Sequence, residues 1–264
     1  MTHELHIKSL STLEELQEVQ QLETLVWGMD SIPTHQTLTA VKNGGLVIGG
    51  YLDEQLVGFQ YSFPGFKDGK VFLCSHLLAI HPEHQKKGYG RLLKLAQKEE
   101  ALKKGYDLIC WTYDPLESVN ANLNIGKLKA VCRTYMEDCY GKLEGSLNEG
   151  LSTDRFMVEW TINQDLQADA NLPSEAAQLV TVEKDEQGFP VITEYRLDTY
   201  ADIIAIPIPT EIQKMKKENL SLAIDWRSKT REIFKNLFAQ GYAVVGIERI
   251  KEDNIQHYIL QKQK

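Results

Sequence analysis

The chain has few cysteines and no C-x-x-C pair. Cys74, Cys110, Cys132 and Cys139 are its four cysteines among 264 residues, and they are scattered. Four scattered cysteines without such a pair indicate buried, reduced thiols in a cytoplasmic protein and disfavour a disulfide framework or a zinc site. Cys132 and Cys139 are seven residues apart and could share a helix face. A catalytic thiol at that face is the alternative, although packing is the commoner role of such residues.

Long apolar runs and long basic runs are also absent. No apolar run approaches the roughly 20 residues that a membrane-spanning helix requires. The N-terminal segment carries many Glu, unlike a secretory signal. The net charge of −8 disfavours nonspecific binding to nucleic acid or anionic membranes. We therefore expect a cytoplasmic protein with neither nucleic acid nor membrane as partner.

A capping box opens the first predicted helix. Ser11 and Thr12 are both good N-caps, and Glu14 and Glu15 stand three residues after each. Apolar residues then recur at helical spacing, which predicts an amphipathic helix over 12–27.

Three apolar runs follow this region, and tight polar turns separate them. The runs are Leu46–Leu52, Gln55–Phe63 and Val71–Ile80. Short strands joined by such turns predict an antiparallel meander.

The segment Gln85–Gly90 lies between the strand that ends at Ile80 and a helix that begins near Arg91. A strand that turns through a loop into a helix leaves backbone N–H groups without intrahelical partners, and the helix dipole adds partial positive charge. Gly88 and Gly90 lack a Cβ, so a phosphate can approach the backbone closely. The segment therefore predicts a phosphate-binding loop.

Two other phosphate motifs do not fit this loop. The G-x-x-x-x-G-K-[ST] motif is absent, and a dinucleotide G-x-G-x-x-G motif would need glycine where Leu93 stands. An ordinary strand-to-helix turn with two small residues is the alternative that needs no ligand. After the helix, Asp107–Tyr113 is a short buried run, so the two strands that flank the helix should be parallel neighbours.

The order Gln-x-x-Gly-x-Gly, after a strand that ends Ile80-His81-Pro82, resembles the acyl-CoA pyrophosphate loop of the GNAT N-acetyltransferase superfamily. The resemblance extends over Ile7–Ile162 and is specific at Leu77–Gly90. It implies an α+β fold with a mixed, mostly antiparallel sheet flanked by helices. The runs 111–116 and 122–128 resemble a subgroup of larger GNAT proteins. Some relatives in that subgroup occur alongside N-succinylamino-acid racemases, which implies succinyl transfer to amino acids.

The resemblance also implies which residues would bind acyl-CoA. Loop N–H groups would hold the pyrophosphate, and the backbone of the preceding strand would pair with the pantetheine arm as an added strand does. An asparagine after the next strand often contacts that arm. The corresponding residues are Gln85, Lys86, Lys87, Gly88, Tyr89, Gly90 and Arg91 in the loop, Leu78, Ala79 and Ile80 in the strand, and Asn124. A helix N-cap is an equal alternative for Asn124.

Direct acyl transfer needs a base for the amine, donors for the oxyanion and an acid for the leaving sulfur. The resemblance implies a tyrosine as the acid. Tyr135, on a predicted helix over 123–140, is the first candidate, and Tyr140 beside Gly141 is the alternative. A packing tyrosine with a satisfied hydroxyl competes with the first assignment.

His76 shares a strand face with Leu78 and Ile80 by period-two alternation, so it is the candidate base. A half-buried structural histidine is its alternative. Arg155 opens a predicted strand and could clamp a carboxylate bidentately, against the alternative of a solvated or salt-bridged arginine. Lesser candidates for the clamp are Arg133 and Arg227.

The segment 163–174 is rich in Asn, Asp, Gln, Ala and Pro and is the best linker candidate. It divides the chain into a predicted GNAT acyl-CoA-binding domain over 1–164 and a C-terminal α/β subdomain over 175–264. The latter ends in a helical stretch, Gly241-Tyr242 and a predicted hairpin, an order that resembles the end of a GNAT domain.

Together these patterns predict an N-acyltransferase that moves an acetyl or succinyl group from acetyl-CoA, or another acyl-CoA, to a small-molecule amine. Amino acids are among the expected acceptors. We expect no metal, and a homodimer formed through the C-terminal half is a further expectation. A CoA-binding or interaction protein without turnover, on the same scaffold, is the alternative.

Overall fold

The computed structural model describes residues 4–28, 31–141, 150–164, 176–250 and 254–263. The chain forms two compact units, residues 1–111 with 161–165 and residues 112–160 with 166–264. Compactness alone does not show which part folds independently. The predicted domains over 1–164 and 175–264 therefore stay a prediction.

The first unit carries a sheet with the strand order β1-β2-β3-β4-β5. The strands are β1 (His6–Ser9), β2 (Leu46–Leu52), β3 (Gln55–Lys67), β4 (Lys70–Ile80) and β5 (Leu108–Tyr113), whose last two residues belong to the second unit. Strands β1 to β4 are antiparallel neighbours, and β5 runs parallel to β4. The predicted meander and the predicted parallel pair are confirmed.

Three helices pack on this sheet: α1 (Leu13–Trp27), α2 (Thr34–Lys42) and α3 (Tyr89–Lys103). The capping box is present, because Thr12 and Glu15 bond each other's backbone N–H groups. Leu16, Val19 and Leu22 of α1 pack against Tyr51, Phe59 and Tyr61 of the sheet.

Helix α3 covers the other face of the sheet and approaches it closely at Gly58. A Cβ on Gly58 would stand 3.2 Å from Leu93 Cδ1 and 2.6 Å from Ile80 Cδ1. Only glycine leaves room there without a shift of its neighbours. This close approach places the start of α3 beside the end of β4.

The second unit carries the strand order β7-β6-β12-β13-β11-β8 and a separate hairpin of β9 and β10. These strands are β6 (Val131–Met136), β7 (Arg155–Thr161), β8 (Ala177–Gln178), β9 (Val180–Lys184), β10 (Pro190–Tyr195), β11 (Ile203–Pro209), β12 (Tyr242–Ile250) and β13 (Ile255–Lys262). Among the described pairings of these strands with one another, all are antiparallel except that of β11 with β8. Strand β13 lies between β11 and β12, so those two strands are parallel to each other. The predicted closing hairpin is confirmed.

The helices of the second unit are α4 (Ser118–Ala121), α5 (Ile212–Glu218) and α6 (Leu220–Ala239). Trp226, Ile233, Phe234 and Leu237 of α6 are fully buried. Among the described residues, no helix has both the length and the apolar composition that crossing a membrane requires.

The predicted helix over 123–140 is wrong. A π-helical turn, Asn122–Lys127, is followed by β6. Lys129 has a φ of 59°, in the left-handed region that a continuous helix cannot use. The β-branched residues of the next segment then favour a strand. Cys132 therefore lies buried in β6 and shares no helix face with Cys139, and burial raises the pKa of its thiol.

Candidate functional site

The predicted phosphate loop joins β4 to α3 through a single 3-10 turn, Pro82–His84. Lys86 then takes a φ of 62° and Gly88 a φ of 85°, both in the left-handed region. Gly88 is the N-cap residue of α3. The side-chain amide of Gln85 donates to Ile80 O at 3.3 Å and so fastens the loop to the end of the strand.

The backbone of this loop presents a run of unpartnered donors. Gln85 N donates to Pro82 O at 3.4 Å, and Arg91 N donates to Gly88 O at 3.1 Å. Between them, the N–H groups of residues 86–90 have no acceptor within the described part of the chain. Successive N–H groups at a helix N-terminus form a concavity that suits an anion.

Strands β4 and β5 separate soon after they pair. Their register pairs are Leu73 with Ile109 and Cys74 with Cys110. From Ser75 to Ile80, the one described strand that pairs with β4 is β3. The edge of β4 that carries the predicted backbone contacts of Leu78, Ala79 and Ile80 is therefore unpaired in the described sheet. We call this divergence the fork.

A β-bulge changes the position of the candidate base. Tyr61 of β3 pairs with Leu77, whereas Ser62 pairs with Ser75, so His76 is an extra residue in β4. Its ring packs edge-on against Tyr61 at 6.1 Å and Phe63 at 5.6 Å between centroids. The prediction that His76 shares a face with Leu78 and Ile80 is therefore wrong, since a bulge shifts the alternation. Desolvation lowers the pKa of His76, which favours the neutral ring that a base requires.

A buried lysine that sequence reasoning missed lies beside the fork. Lys94 of α3 is 2% exposed, and its Nζ donates to Ser75 Oγ at 2.7 Å. The same Nζ stands 3.6 Å from the ring centroid of Trp111. The helical spacing carried the signal, because Lys94 stands three residues before Gln97 and seven before Ala101, which are buried on the same side of α3.

Asn124 lies in the π-helical turn of the second unit and is 4% exposed. Its carbonyl accepts from Ala130 N at 3.0 Å. The alternative that Asn124 is a helix N-cap is wrong, because the residue stands inside the turn. Its contact with a pantetheine arm stays a prediction.

Tyr135 belongs to a buried ionic cluster of the second unit. Its hydroxyl donates to Asp154 Oδ2 at 2.5 Å. Arg231 donates to both oxygens of Asp154, through Nε at 2.7 Å and Nη2 at 2.9 Å. Desolvation and the bond to this carboxylate raise the pKa of Tyr135. The pKa of Asp154 is lowered, since the bonds from Arg231 and Tyr135 outweigh desolvation.

Arg227 lies next to this cluster and is 3% exposed. Its Nη2 bonds Asp114 Oδ2, whereas Nε and Nη1 have no hydrogen-bond partner among the described residues. Arg133, the other lesser candidate for a carboxylate clamp, forms a surface pair with Glu159 at 2.8 Å.

Tyr140 and Arg155 lie together in the second unit. Tyr140 is 47% exposed, and its hydroxyl lies 2.8 Å from Thr112 Oγ1. The guanidinium carbon of Arg155 stands 5.5 Å from the Tyr140 ring centroid. Arg155 Nη1 donates to Asp154 O at 2.9 Å and lies 3.9 Å from Asp114 Oδ2.

One group of described residues has the donor atoms for a metal ion: His81, Glu83 and His84, whose ligand atoms lie within 4.8 Å of one another. His81 Nδ1 already accepts from Glu83 N, at 3.3 Å. The ammonium of Lys87 stands 3.4 Å from His84 Nδ1, where it would repel a cation. We therefore assign no metal to this group.

No family model and no curated protein matches the sequence. Two solved structures are similar, each with a TM-score of 0.50. The ribosomal-protein-S18-alanine N-acetyltransferase of Escherichia coli is 17% identical over 64% of this chain and 99% of its own. YncA of Salmonella typhimurium, assigned as an acetyltransferase and bound to its cofactor acetyl-CoA, is 15% identical over 63% of this chain and 99% of its own.

The chain has the GNAT fold. The predicted α+β class is confirmed with it. Within the first unit, the fold brings the loop residues 85–91 together with the end of β4. The other predicted residues, Asn124, Tyr135, Tyr140 and Arg155, lie in the second unit.

Proposed function

We propose that the protein is an acyl-CoA-dependent N-acyltransferase that moves an acetyl group from acetyl-CoA to an amine. The observation that carries the proposal is the run of unpartnered N–H groups at residues 86–90, beside the unpaired edge of β4. Acetyl-CoA bound to YncA, which shares the fold, supports the choice of cofactor.

The residues of the first unit suit the two parts of this co-substrate. The N–H groups of residues 86–90 would hold the pyrophosphate, and Lys86, Lys87 and Arg91 would add positive charge. The backbone from Leu78 to Ile80 would pair with the amide groups of the pantetheine arm. A backbone N–H of Leu78 or Ile80 would serve the oxyanion.

In the transfer step, the amine nitrogen attacks the thioester carbonyl, and the C–S bond breaks as the tetrahedral intermediate collapses. His76, with its lowered pKa, would accept the amine proton directly or through water. Tyr140 is the preferred acid for the thiolate, because this residue is exposed to solvent. Tyr135 is less suited, since its hydroxyl already donates to Asp154.

The choice of acceptor is supported by Arg155, the candidate carboxylate clamp. A small molecule with both an amine and a carboxylate, such as an amino acid, fits that role, and succinyl is the alternative acyl group. The fold does not select a small molecule, because the Escherichia coli neighbour acts on an alanine of a ribosomal protein. A cytoplasmic location and a homodimer belong to the same proposal, and light scattering at assay concentration tests the dimer.

Calorimetry with acetyl-CoA, succinyl-CoA and CoA tests the proposal. Gly88→Asp should weaken binding on the order of 10- to 100-fold, because the carboxylate would place a like charge beside the pyrophosphate. Gly69→Asp is the matched control. Gly69 has a φ of 77° against 85° at Gly88, and a Cβ at either position meets nothing within 4 Å. Equal loss in both variants, or no binding by the wild type, would reject the proposal.

A CoA-binding protein without turnover is the second candidate function. The bond from Tyr135 to Asp154 favours it, because it removes the first candidate acid from use. A thiol-release assay against a panel of amines separates the two functions. Amine-dependent CoA release that Tyr140→Phe impairs would support the enzyme, whereas tight CoA binding with no release would support the second candidate.

A further inference from the structure

Lys94 is a buried charge without a counter-charge. It is 2% exposed, and no carboxylate pairs with it in the described part of the chain. Its partners are the hydroxyl of Ser75, at 2.7 Å, and the face of the Trp111 ring, at 3.6 Å. Burial of an unpaired ammonium costs free energy, so this arrangement is not explained by stability.

The two partners stand at corresponding places in the fork. Ser75 of β4 and Trp111 of β5 each directly follow the last register pair, Cys74 with Cys110. One amine therefore contacts the first residue of each strand beyond the point where the strands separate. A group in this position links both strands to α3.

The side-chain amides of Gln60 and Gln97 also hold Ser75 in this position. Ser75 Oγ accepts from Lys94 and from Gln60 Nε2, at 3.2 Å, and donates to Gln97 Oε1, at 3.4 Å. The hydroxyl has then used its donor and both acceptor sites. Gln60 Oε1 and Gln97 Nε2 are buried and have no partner among the described residues. The cluster thus leaves buried polar atoms unsatisfied while it holds Ser75.

Ser75 in turn precedes the bulged residue His76. A bulge redirects the strand that follows it, and here that strand is the unpaired edge from Leu78 to Ile80. The position of Ser75 therefore determines how this edge is presented.

We propose that Lys94 is a positioning residue for acyl transfer, which acts through Ser75 and Trp111 to hold the fork open and to present the β4 edge to the pantetheine arm. The inference rests on the proposed function.

The protonation of Lys94 adds a pH dependence to this role. Desolvation lowers the pKa of Lys94 to about 7, and the nearby Cys74 thiol of β4 acts in the opposite direction. Strand β3 presents the neutral amide of Gln60, β5 presents the Trp111 ring, and β2 carries no charged side chain. The charged form gains the cation–π contact with Trp111, which the neutral amine lacks. The fork is therefore held more firmly below pH 7 than above it.

Calorimetry of CoA binding at pH 6 and pH 8.5 tests the inference on the full chain. The wild type should bind at least about threefold more weakly at pH 8.5, as loss of a buried cation–π contact implies. Lys94→Met should bind more weakly at pH 6 and lack this pH step, and Lys94→Gln should keep the bond to Ser75 but also lack the step. Lys103→Met, on the same helix with a side chain that is 69% exposed, is the matched control and should behave as the wild type.

The titration of Lys94 is followed separately, by the shift of its ε-carbon in ¹³C-lysine NMR, with Lys94→Met for assignment. A midpoint near pH 7 is expected, and a midpoint above pH 9 would overturn the pH dependence. Equal CoA affinities for wild type and Lys94→Met, with both proteins folded, would overturn the positioning role alone. Absence of CoA binding by the wild type would remove the proposed function and this inference with it.

Discussion

The two units each contain a buried charged residue, and the two residues have different kinds of partner. In the second unit, Asp154 is fully buried and accepts hydrogen bonds from Tyr135, from Arg231 and from the backbone of Asp138. In the first unit, Lys94 is almost as deeply buried, but its partners among the described residues are a hydroxyl and an aromatic face.

The comparison distinguishes a buried charge that stabilises the fold from one that positions the residues around it. A carboxylate that several donors satisfy stabilises the native state, because its removal leaves those donors unpaired in the interior. An ammonium without a counter-charge is destabilising, so a chain that keeps one must gain something other than stability. For Lys94 we infer that the gain is the geometry of the fork.

The largest expected effect comes from breaking the satisfied cluster. Asp154→Asn should lower the free energy of unfolding by about 3 kcal/mol, because Arg231 and Tyr135 lose a charged acceptor in the interior. Urea unfolding monitored by circular dichroism measures this change. The sign of the pH effect is set by the lowered pKa of Asp154. The stability that Asp154 contributes is present above its ordinary pKa and is lost as the pH falls through the folded value.

Glu159→Gln is the control for this prediction. Glu159 pairs with Arg133 on the surface, where each side chain is 46% exposed, so its loss should cost less than about 0.5 kcal/mol. A similar cost for both substitutions would contradict the assignment of Asp154 as a compensated buried charge.

The next largest expected effect is a rise in the free energy of unfolding. Lys94→Met should raise the free energy of unfolding at pH 6 by about 1–3 kcal/mol, since an apolar side chain of similar length replaces an unpaired charge. The unfolded chain keeps a lysine pKa near 10.5, and the folded value is about 7. Between these values the unfolded state binds more protons, so wild-type stability rises with pH. The advantage of the variant should therefore shrink as the pH is raised above 7.

Unfolding of wild type and Lys94→Met at pH 6 and pH 9.5 measures this difference. Greater stability of the variant together with weaker CoA binding would show that Lys94 promotes CoA binding and destabilises the fold. A loss of stability in the variant would instead show that Lys94 is an ordinary structural residue, and it would weaken the comparison between the two units.

Local patterns were enough to predict much of the first unit. The capping box at Thr12, the meander from Leu46 to Ile80 and the loop after it depend on residues close in sequence, and each was found. The helix predicted over 123–140 failed because Lys129 adopts a positive φ and the strand β6 that follows is set by pairing with β7. Pairing with a distant strand leaves little trace in a local pattern.

The candidate site was predictable to a similar extent. The loop residues follow from glycine and dipole arguments, which are local. The face of His76 was missed because a bulge has no reliable sequence signal, and one extra residue reverses the alternation. The cluster around Lys94 joins residues from β3, β4, α3 and β5, so it could be recognised only once those elements were placed together.

The smallest effect comes from a hydrogen-bonded carboxylate at the surface, Glu15, whose side chain is 22% exposed. Desolvation would raise the pKa of Glu15, yet its bonds with Lys8 and with the N–H groups of Ser11 and Thr12 lower it from 4.5 to about 2. Glu15→Gln should cost only about 0.5–1 kcal/mol, less than this shift alone implies, because water screens the charge. The cost should be present above pH 4.5 and disappear as the pH falls through about 2, where the wild-type carboxylate is protonated. Glu14→Gln, in the same turn but without a bond in the described residues, is the control. If acid unfolding shifted equally in both variants, the low pKa of Glu15 would not arise from the capping box.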